Sequence, residues 1–240
     1  MTGGVTHDPL PVGTACTDGN ILNGPEVCDA ASVCIPYDPV LVAPPLDQTV
    51  VTDFHTAVAF LYSANPPIQV GVAPGAIEEE RPAVLRGRIT DRLGVPLRGV
   101  HVSVLAHPEF GYTTTRADGW FDMVVNGGGE LVVDYSLPGF IPIQRSIETR
   151  WKDYIIIPEA ILIPFDTAVS TIDLTGPGIQ VARGTVSTDA DGARQPTLLF
   201  APGTTALVHL PNGASASVET LHVRATEFTV GASGPRAMPA

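Results

Sequence analysis

The chain is poor in lysine, in aromatic residues and in charge. Of its 240 residues, 6% are aromatic and 16% are charged, and Lys152 is the single lysine. The formal net charge is -12, and the arginines are scattered along the sequence. Binding to nucleic acid or to an anionic membrane surface requires clustered basic residues. The composition therefore argues against nucleic acid and anionic membranes as partners.

Long hydrophobic runs are also missing. The longest apolar stretches are Ala57–Tyr62 and Tyr154–Phe165, and the second contains Pro158, Glu159 and Pro164. A membrane-spanning helix needs about 20 consecutive apolar residues, so we expect no membrane insertion. The N-terminus has neither the basic region nor the apolar region of a signal peptide. We therefore expect no signal peptide in this chain, so the protein is either cytoplasmic or a piece of a longer chain, and the resemblances described below favour the piece.

Helical periodicity is scarce, whereas glycine and proline are abundant, at 24 and 23 residues. Hydrophobic residues make up 44% of the chain, which argues against general disorder. From Ala83 onward, short stretches alternate between apolar and polar residues, as in Val100–Val104. Turn signals such as Asp118-Gly119 separate these stretches at the spacing of an antiparallel sandwich. The sequence therefore predicts an all-β protein.

Changes in composition divide the chain into four segments. Residues 1–36 contain every cysteine, and residues 37–81 are rich in proline, which favours an extended linker. The apolar stretch Phe54–Tyr62 inside that linker fits either a strand or a short helix. Residues 82–165 carry the alternating pattern of a β-sandwich. Residues 166–240 form a second predicted β region.

The cysteines Cys16, Cys28 and Cys34 are confined to a short N-terminal stretch. Such clustering favours disulfide bonding in a small cross-linked unit, with metal binding and inert thiols as alternatives. The stretch from Cys16 to Asp29 and on to Cys34 resembles the Cys-rich repeats of myxobacterial surface proteins, of the form C-x-D-G-N-x-C-N-G-x-E-x-C-D…C. Leu22 stands where that family has a cysteine, so the repeat is degenerate. The resemblance implies an extracellular setting.

A second resemblance concerns the sandwich. The stretch Leu85–Val104 and the hairpin motif Thr115–Asp122 resemble the carboxypeptidase regulatory-like domain. This likeness implies a transthyretin-like β-sandwich of seven strands. The residues expected to have structural roles are two turn glycines, a proline that restricts φ before a strand, an aspartate of the hairpin turn and a core phenylalanine: Gly94, Gly119, Pro96, Asp118 and Phe121.

A third resemblance extends from Phe60 to Ala240. This stretch of the sequence is similar to the segment that precedes the YD-repeat shell in bacterial RHS proteins, the relatives of teneurins. That family implies that residues 166–240 form a fibronectin-like plug, which is truncated here because no Tyr-Asp repeats follow. The residues expected to pack inside the shell mouth are Leu198, Leu199, Phe200, Phe228 and Val230. The motifs that carry the likeness are His107–Gly111, Val125–Gly129, Trp151–Tyr154, Val181–Gly184, Thr188–Arg194, Thr197–Thr204 and Val223–Gly231.

Motifs for catalysis or cofactor binding are lacking. The sequence contains no G-x-S-x-G, H-E-x-x-H, P-loop or G-x-G-x-x-G pattern. His107 and Glu109 could pair as metal ligands, but no third ligand lies nearby in sequence. Asp189–Gly192 matches a hairpin turn better than a calcium loop. We therefore predict a protein that is not an enzyme, with no catalytic residues, no cofactor and no metal.

The sequence thus predicts a non-enzymatic structural module of a secreted or surface RHS-type protein. It would cap and plug a YD-repeat shell around a C-terminal effector, with that shell as its intramolecular partner and a surface protein or glycan as a further one. The alternative is a free-standing adhesion or carbohydrate-binding sandwich. Exposure of Phe110, Tyr112 and Trp120 in one loop cluster would favour this alternative. A hydrolase accessory domain is a third hypothesis.

Overall fold

The computed structural model divides the chain into two compact units. The first unit comprises residues 1–163 and 232–240, and the second comprises residues 164–231. Nearly all regular structure in the described part of the chain is β-strand, which confirms the all-β prediction. The described residues are 10–11, 14–17, 26–29, 31–36, 38–39, 43–189, 192–228 and 236–237.

The first sheet of the sandwich, sheet I, is built around a long central strand, β4 (Pro82–Thr90). Strand β7 (Trp120–Asn126) pairs antiparallel with one edge of β4. Strands β10 (Asp153–Ile156) and β11 (Ala160–Ile161) pair in parallel with successive parts of β4. They behave as one strand interrupted at Pro158, because proline has no backbone N–H to donate.

The second sheet, sheet II, is antiparallel and has the strand order β6-β5-β8-β9. Its strands are β5 (His101–Val104), β6 (Tyr112–Thr114), β8 (Glu130–Ser136) and β9 (Ile143–Glu148). A short 3-10 turn, Pro108–Phe110, precedes β6. With β10 and β11 counted as one interrupted strand, the two sheets hold the seven strands of the predicted transthyretin-like sandwich.

The core lies between the two sheets. Phe121 of β7 meets Tyr135 of β8 edge to face, with 5.9 Å between ring centroids. Gly87 is required opposite Phe121 because a Cβ there would lie 2.7 Å from the phenylalanine ring. Burial of this apolar surface is the main stabilisation of the sandwich. The fully buried residues around these rings include Leu85, Val102, Met123, Val133 and Ile143.

Part of the predicted linker covers the outer face of sheet I. Within the predicted linker 37–81, the stretch Phe54–Tyr62 was expected to be either a strand or a short helix, and residues 54–63 form two short helices, α1 (Phe54–Val58) and α2 (Phe60–Ser63). Asp53 caps α1 by accepting a hydrogen bond from the Thr56 N–H at 3.0 Å. Val58 and Leu61 are buried because α1 packs near β4 and α2 near β7. Packing of these apolar side chains therefore outweighs the extended tendency of the flanking prolines.

Gln69 joins the same segment to the sandwich. Its side chain is buried, donates to the carbonyls of Phe110 and Val124 at 2.7 and 2.8 Å, and accepts from the Val124 N–H at 2.6 Å. Among the strands that the structure describes, β7 pairs only with β4, so the other edge of β7 offers these backbone groups. Gln69 satisfies both polar groups of Val124 in the absence of a neighbouring strand.

The cysteine segment forms a three-stranded antiparallel sheet in the order β1-β2-β3. The strands are β1 (Ala15–Cys16), β2 (Glu26–Cys28) and β3 (Cys34–Pro36). Val27 belongs to the buried apolar cluster of the first unit. The buried Glu26 carboxylate accepts from the Arg98 guanidinium of the sandwich at 2.8 Å. This small sheet is therefore packed onto the sandwich.

The second unit is composed of two-stranded antiparallel ribbons in the part of it that the structure describes. The pairs are β12 with β19, β13 with β16, β14 with β15 and β17 with β18. Ile172 and Ala182 of this unit are buried. The strands are β12 (Ser170–Asp173), β13 (Gln180–Arg183), β14 (Ser187–Asp189), β15 (Gly192–Arg194), β16 (Thr197–Phe200), β17 (Ala206–His209), β18 (Ser215–Val218) and β19 (Thr220–Val223).

Asp166 connects the beginning, middle and end of the second unit. Its carboxylate accepts hydrogen bonds from the Ala168 N–H at 2.7 Å and from the N–H and hydroxyl of Thr185 at 2.8 and 2.9 Å. The Asp166 N–H donates to the Thr226 hydroxyl at 2.9 Å. Burial raises the pKa of Asp166, but these accepted hydrogen bonds outweigh burial and hold the pKa below its ordinary value.

Candidate functional site

The ribbon β13–β16 exposes apolar side chains on both faces. Val181 and Leu199 lie opposite each other on one face, and the Leu199 side chain is 69% exposed. Leu198 lies on the other face opposite the buried Ala182, and it is still 45% exposed. Only one face of this ribbon is therefore partly covered within the second unit, and the apolar surface of the other face is open.

The hairpin β17–β18 has an even more open apolar surface. Its register places Val208 opposite Ala216 on one face, and both residues are exposed. Leu207 lies on the opposite face with 62% of its side chain exposed. An isolated two-stranded hairpin is at best marginally stable in water. The exposed apolar residues of the two ribbons define the apolar ribbon surface: Val181, Leu198, Leu199, Leu207 and Val208.

Two of the residues predicted to pack inside a shell lie on this surface. Leu198 and Leu199 are adjacent in sequence and therefore point to opposite faces of β16. Phe200 and Phe228 are half-buried. Val230 lies outside the described residues. The sequence pattern identified apolar residues, but Leu207 and Val208 of the hairpin were not singled out.

The predicted structural residues of the sandwich lie in two turns. Gly94 follows β4 with φ +77°, and Pro96 bridges to Thr90. Gly119 has φ +79°, and a Cβ there would lie 2.5 Å from the Ile89 carbonyl oxygen. Asp118 accepts from the Trp120 N–H at 3.0 Å. The hairpin turn thus leads into Phe121, whose side chain is only 1% exposed.

The three cysteines lie together. Cys16 and Cys34 form a disulfide with 5.9 Å between their Cα atoms, and Cys28 is a buried free thiol. The three Sγ atoms all lie within 4.8 Å of one another. In the part of the chain that the structure describes, this is the single set of three neighbouring His, Cys, Asp or Glu side chains close enough to share one ion.

A buried carboxylate lies on the outer face of sheet I. Asp122 accepts from Arg86 at 2.5 Å and from Arg116 at 2.8 Å, and its side chain is buried. Arg116 also lies 3.8 Å from Asp118, but the sequence did not indicate that Asp122 is enclosed or that Arg86 is its second partner. Register places Arg86 directly opposite Asp122, and register is not visible in sequence. The arginines neutralise this carboxylate, so the group is structural.

The aromatic cluster that would favour sugar binding is not formed. Phe110 is buried, and Tyr112 stacks on His101 with 4.6 Å between ring centroids. Trp120 belongs to β7 of sheet I, whereas Tyr112 belongs to β6 of sheet II. These three residues therefore do not present one exposed platform. Trp151 is the more exposed tryptophan, and it lies against Gly128.

His107 and Glu109 form a local hydrogen-bonded pair on the surface. The His107 Nδ1 atom lies 2.8 Å from a Glu109 carboxylate oxygen. This hydrogen bond is the main reason that the pKa of Glu109 lies below its ordinary value. Both side chains are partly exposed, and the pair is held within one 3-10 turn. This arrangement stabilises the turn and provides no nucleophile or paired acid and base.

Comparison with protein families finds a match over the sandwich. The family model "Teneurin TTR-like domain" matches residues 77–162. Teneurin-m of Drosophila melanogaster is 34% identical over 136 residues, which cover 55% of this chain and 5% of that protein. Teneurin-1 of Gallus gallus is 31% identical over 134 residues, again 55% of this chain and 5% of that protein. The chain thus spans about a twentieth of the length of these relatives.

Among solved structures, a streptococcal ancillary pilin aligns with TM-score 0.29 and 11% identity over 57% of this chain and 59% of that chain. A structure named "putative carbohydrate binding protein from Bacteroides uniformis" aligns with TM-score 0.28 and 11% identity over 60% of this chain and 99% of that chain. Residues 77–162 are therefore the part of the chain that is similar to a known family, the teneurin transthyretin-like domain.

In the described residues, no helix is both long and apolar enough to cross a bilayer.

Proposed function

We propose that this chain is a non-enzymatic structural module of a secreted or cell-surface RHS-type protein. In this proposal the sandwich caps a YD-repeat shell, and the second unit plugs the mouth of that shell around a C-terminal effector. The similarity of residues 77–162 to the teneurin transthyretin-like domain supports the first part. The open apolar ribbon surface supports the second part.

The exposed hairpin β17–β18 is the main structural support for the proposal that the second unit is a plug. It is a regular ribbon, yet Leu207 and Val208 are exposed on opposite faces. Exposed apolar surface of this kind marks an interaction site. A shell interior would cover both faces at once, whereas a flat partner surface would cover only one. A plug is therefore the partner geometry that suits the hairpin best.

An immunoblot of cell, envelope and medium fractions of the native organism tests the context. With an antibody to residues 83–165, the proposal requires a band far above the 25.1 kDa of this chain in the envelope or the medium. A single band near the mass of this chain would overturn the plug and would favour a free-standing adhesion module.

Paired leucine variants in the native protein test the surface itself. Leu199→Asp should expose the shell to protease and reduce its resistant fragment several-fold, because a charge would be buried in the shell mouth. Leu93→Asp is the matched control, since Leu93 is a leucine on a turn of the sandwich that is exposed even more fully than Leu199. Equal resistance of the two variants would contradict the contact.

A further inference from the structure

The three cysteines share one face of the β1-β2-β3 sheet. Cys16 lies opposite Glu26, two residues before Cys28 on β2, and Cys28 lies opposite Cys34 on β3. Residues two apart on a strand point to the same side. The three Sγ atoms also lie within 4.8 Å of one another, and of the three cysteines Cys16 and Cys34 are bonded.

Cys34 is positioned to bond either of the other two cysteines. The Asp29 N–H donates to the Val33 carbonyl at 2.9 Å, so the neighbouring pair Cys28 and Cys34 is a non-hydrogen-bonded pair of the ladder. Such pairs have Cα atoms about 4.5 Å apart and their side chains close. Disulfides form at Cα separations of about 4.4–6.8 Å. The Cys16–Cys34 separation of 5.9 Å falls in the same range.

We propose that these cysteines form an exchanging thiol–disulfide site, in which Cys28 is the internal nucleophile. The Cys28 thiolate attacks Cys34 Sγ, the Cys28–Cys34 bond forms and the Cys16–Cys34 bond breaks. Cys16 leaves as a thiolate and takes up the proton that Cys28 released. The reaction conserves one disulfide and one thiol, so it needs no external oxidant or reductant.

The exchange moves the free thiol from a buried cysteine to one that is more exposed to solvent. Cys28 is buried at 1% exposure on the central strand, whereas Cys16 is only partly buried on the edge strand β1. The Cys16 thiolate can then attack a low-molecular-weight disulfide, forming a mixed disulfide and releasing one small thiolate. Cys16 is thus the residue through which this unit is modified, although the resting structure holds it in a bond.

Peptide mapping of the whole chain tests the exchange. The protein is held at pH 5 or pH 8, quenched with N-ethylmaleimide and digested without reduction by a protease that cleaves before aspartate. Cleavage before Asp18 and Asp29 separates all three cysteines. At pH 8 we expect about a tenth or more of the label on Cys16, in molecules in which Cys28 is linked to Cys34. This fraction corresponds to two disulfide pairings whose populations differ by no more than about tenfold. At pH 5 this product should decrease because fewer thiolates are present.

Two variants separate exchange from simple accessibility. Cys28→Ser should abolish labelling of Cys16, because no internal nucleophile remains to break the Cys16–Cys34 bond. Cys16→Ser should form the Cys28–Cys34 disulfide quantitatively under air oxidation. Label confined to Cys28 in the wild type at pH 8 would overturn the proposal. Unchanged Cys16 labelling in Cys28→Ser would also overturn it, even if Cys16→Ser failed to fold.

Discussion

The sandwich and the second unit use the same strand patterns but differ in what covers them. Sheet I lies between sheet II on one side and α1 and α2 on the other, so β7 is buried along nearly its whole length. In the second unit, β16 and β17 are mostly exposed. Alternating apolar residues therefore specify a strand, but the layers around that strand determine whether it is stable by itself. The sandwich carries its own covering layers, and the ribbons lack them in the described structure.

Among the changes that test this difference between the two units, removing an aromatic ring from the sandwich core should cause the largest loss in the free energy of unfolding. Phe121→Ala leaves a cavity against Tyr135 and Gly87, and we expect a loss of about 3–5 kcal/mol in the free energy of unfolding. Urea unfolding followed by tryptophan fluorescence measures it selectively, because Trp120 and Trp151 both lie in the first unit.

Leu93→Ala is the control for that experiment, since Leu93 is 87% exposed in the same unit. It should change the free energy of unfolding by less than about 0.5 kcal/mol. Similar losses in the two variants would contradict the difference drawn between the two units, because the buried core of the sandwich would then not be the main source of its stability.

The covering segment should account for the next largest effect. Gln69→Leu removes three hydrogen bonds and leaves the Val124 backbone groups unsatisfied beneath the helices, so we expect a loss of about 2–3 kcal/mol. The same unfolding measurement applies, with exposed Gln48→Leu as the matched control. A loss no greater than that of the control would show that the segment preceding the sandwich does not stabilise it.

Low pH should destabilise the second unit, with a smaller effect than the two substitutions above. The pKa of Asp166 is below its ordinary value of 3.8 in the folded protein. A carboxyl with a lowered folded pKa stabilises the fold above its unfolded pKa, and this stabilisation is lost as the pH falls through the folded pKa. We therefore expect the urea midpoint of the second unit to decrease from pH 5 to pH 2, measured as the transition that far-UV circular dichroism detects and tryptophan fluorescence does not, since both tryptophans lie in the first unit.

Asp166→Asn should flatten that acid dependence, because the amide does not titrate. Glu219→Gln, at an exposed position in the same unit, should leave the dependence steep. If Asp166→Asn follows the wild-type curve at every pH, the Asp166 hydrogen bonds do not hold the second unit together.

Local patterns were sufficient to predict the strands and turns of the sandwich. Alternation around Val102 and the Asp118-Gly119 turn are encoded within a few residues, so the fold class could be inferred. The helices α1 and α2 were less visible because neighbouring prolines dominate the composition. A helical signal was nevertheless present, since Phe54, Val58 and Leu61 recur at i, i+4 and i+7.

Contacts between distant residues were not predictable in this way. Asp122 meets Arg86 because register places β7 against β4, and Gln69 meets Val124 across 55 positions of sequence. The apolar ribbon surface shows a related limit. Alternation identifies Leu198 and Leu199 as strand residues on opposite faces, but sequence alone does not say which face is left uncovered.

The central position of β4 has a consequence for the order of synthesis. The strand is complete at Thr90, but β11 ends at Ile161, about seventy residues later. At about 5–20 residues per second, translation of that interval takes roughly 4–14 s. During that time one edge of β4 has no partner strand and is open to pairing with neighbouring nascent chains. The helices α1 and α2 precede β4 in the chain and are already synthesised, so they can cover the outer face of the sheet during this interval, but they leave this edge of β4 unprotected.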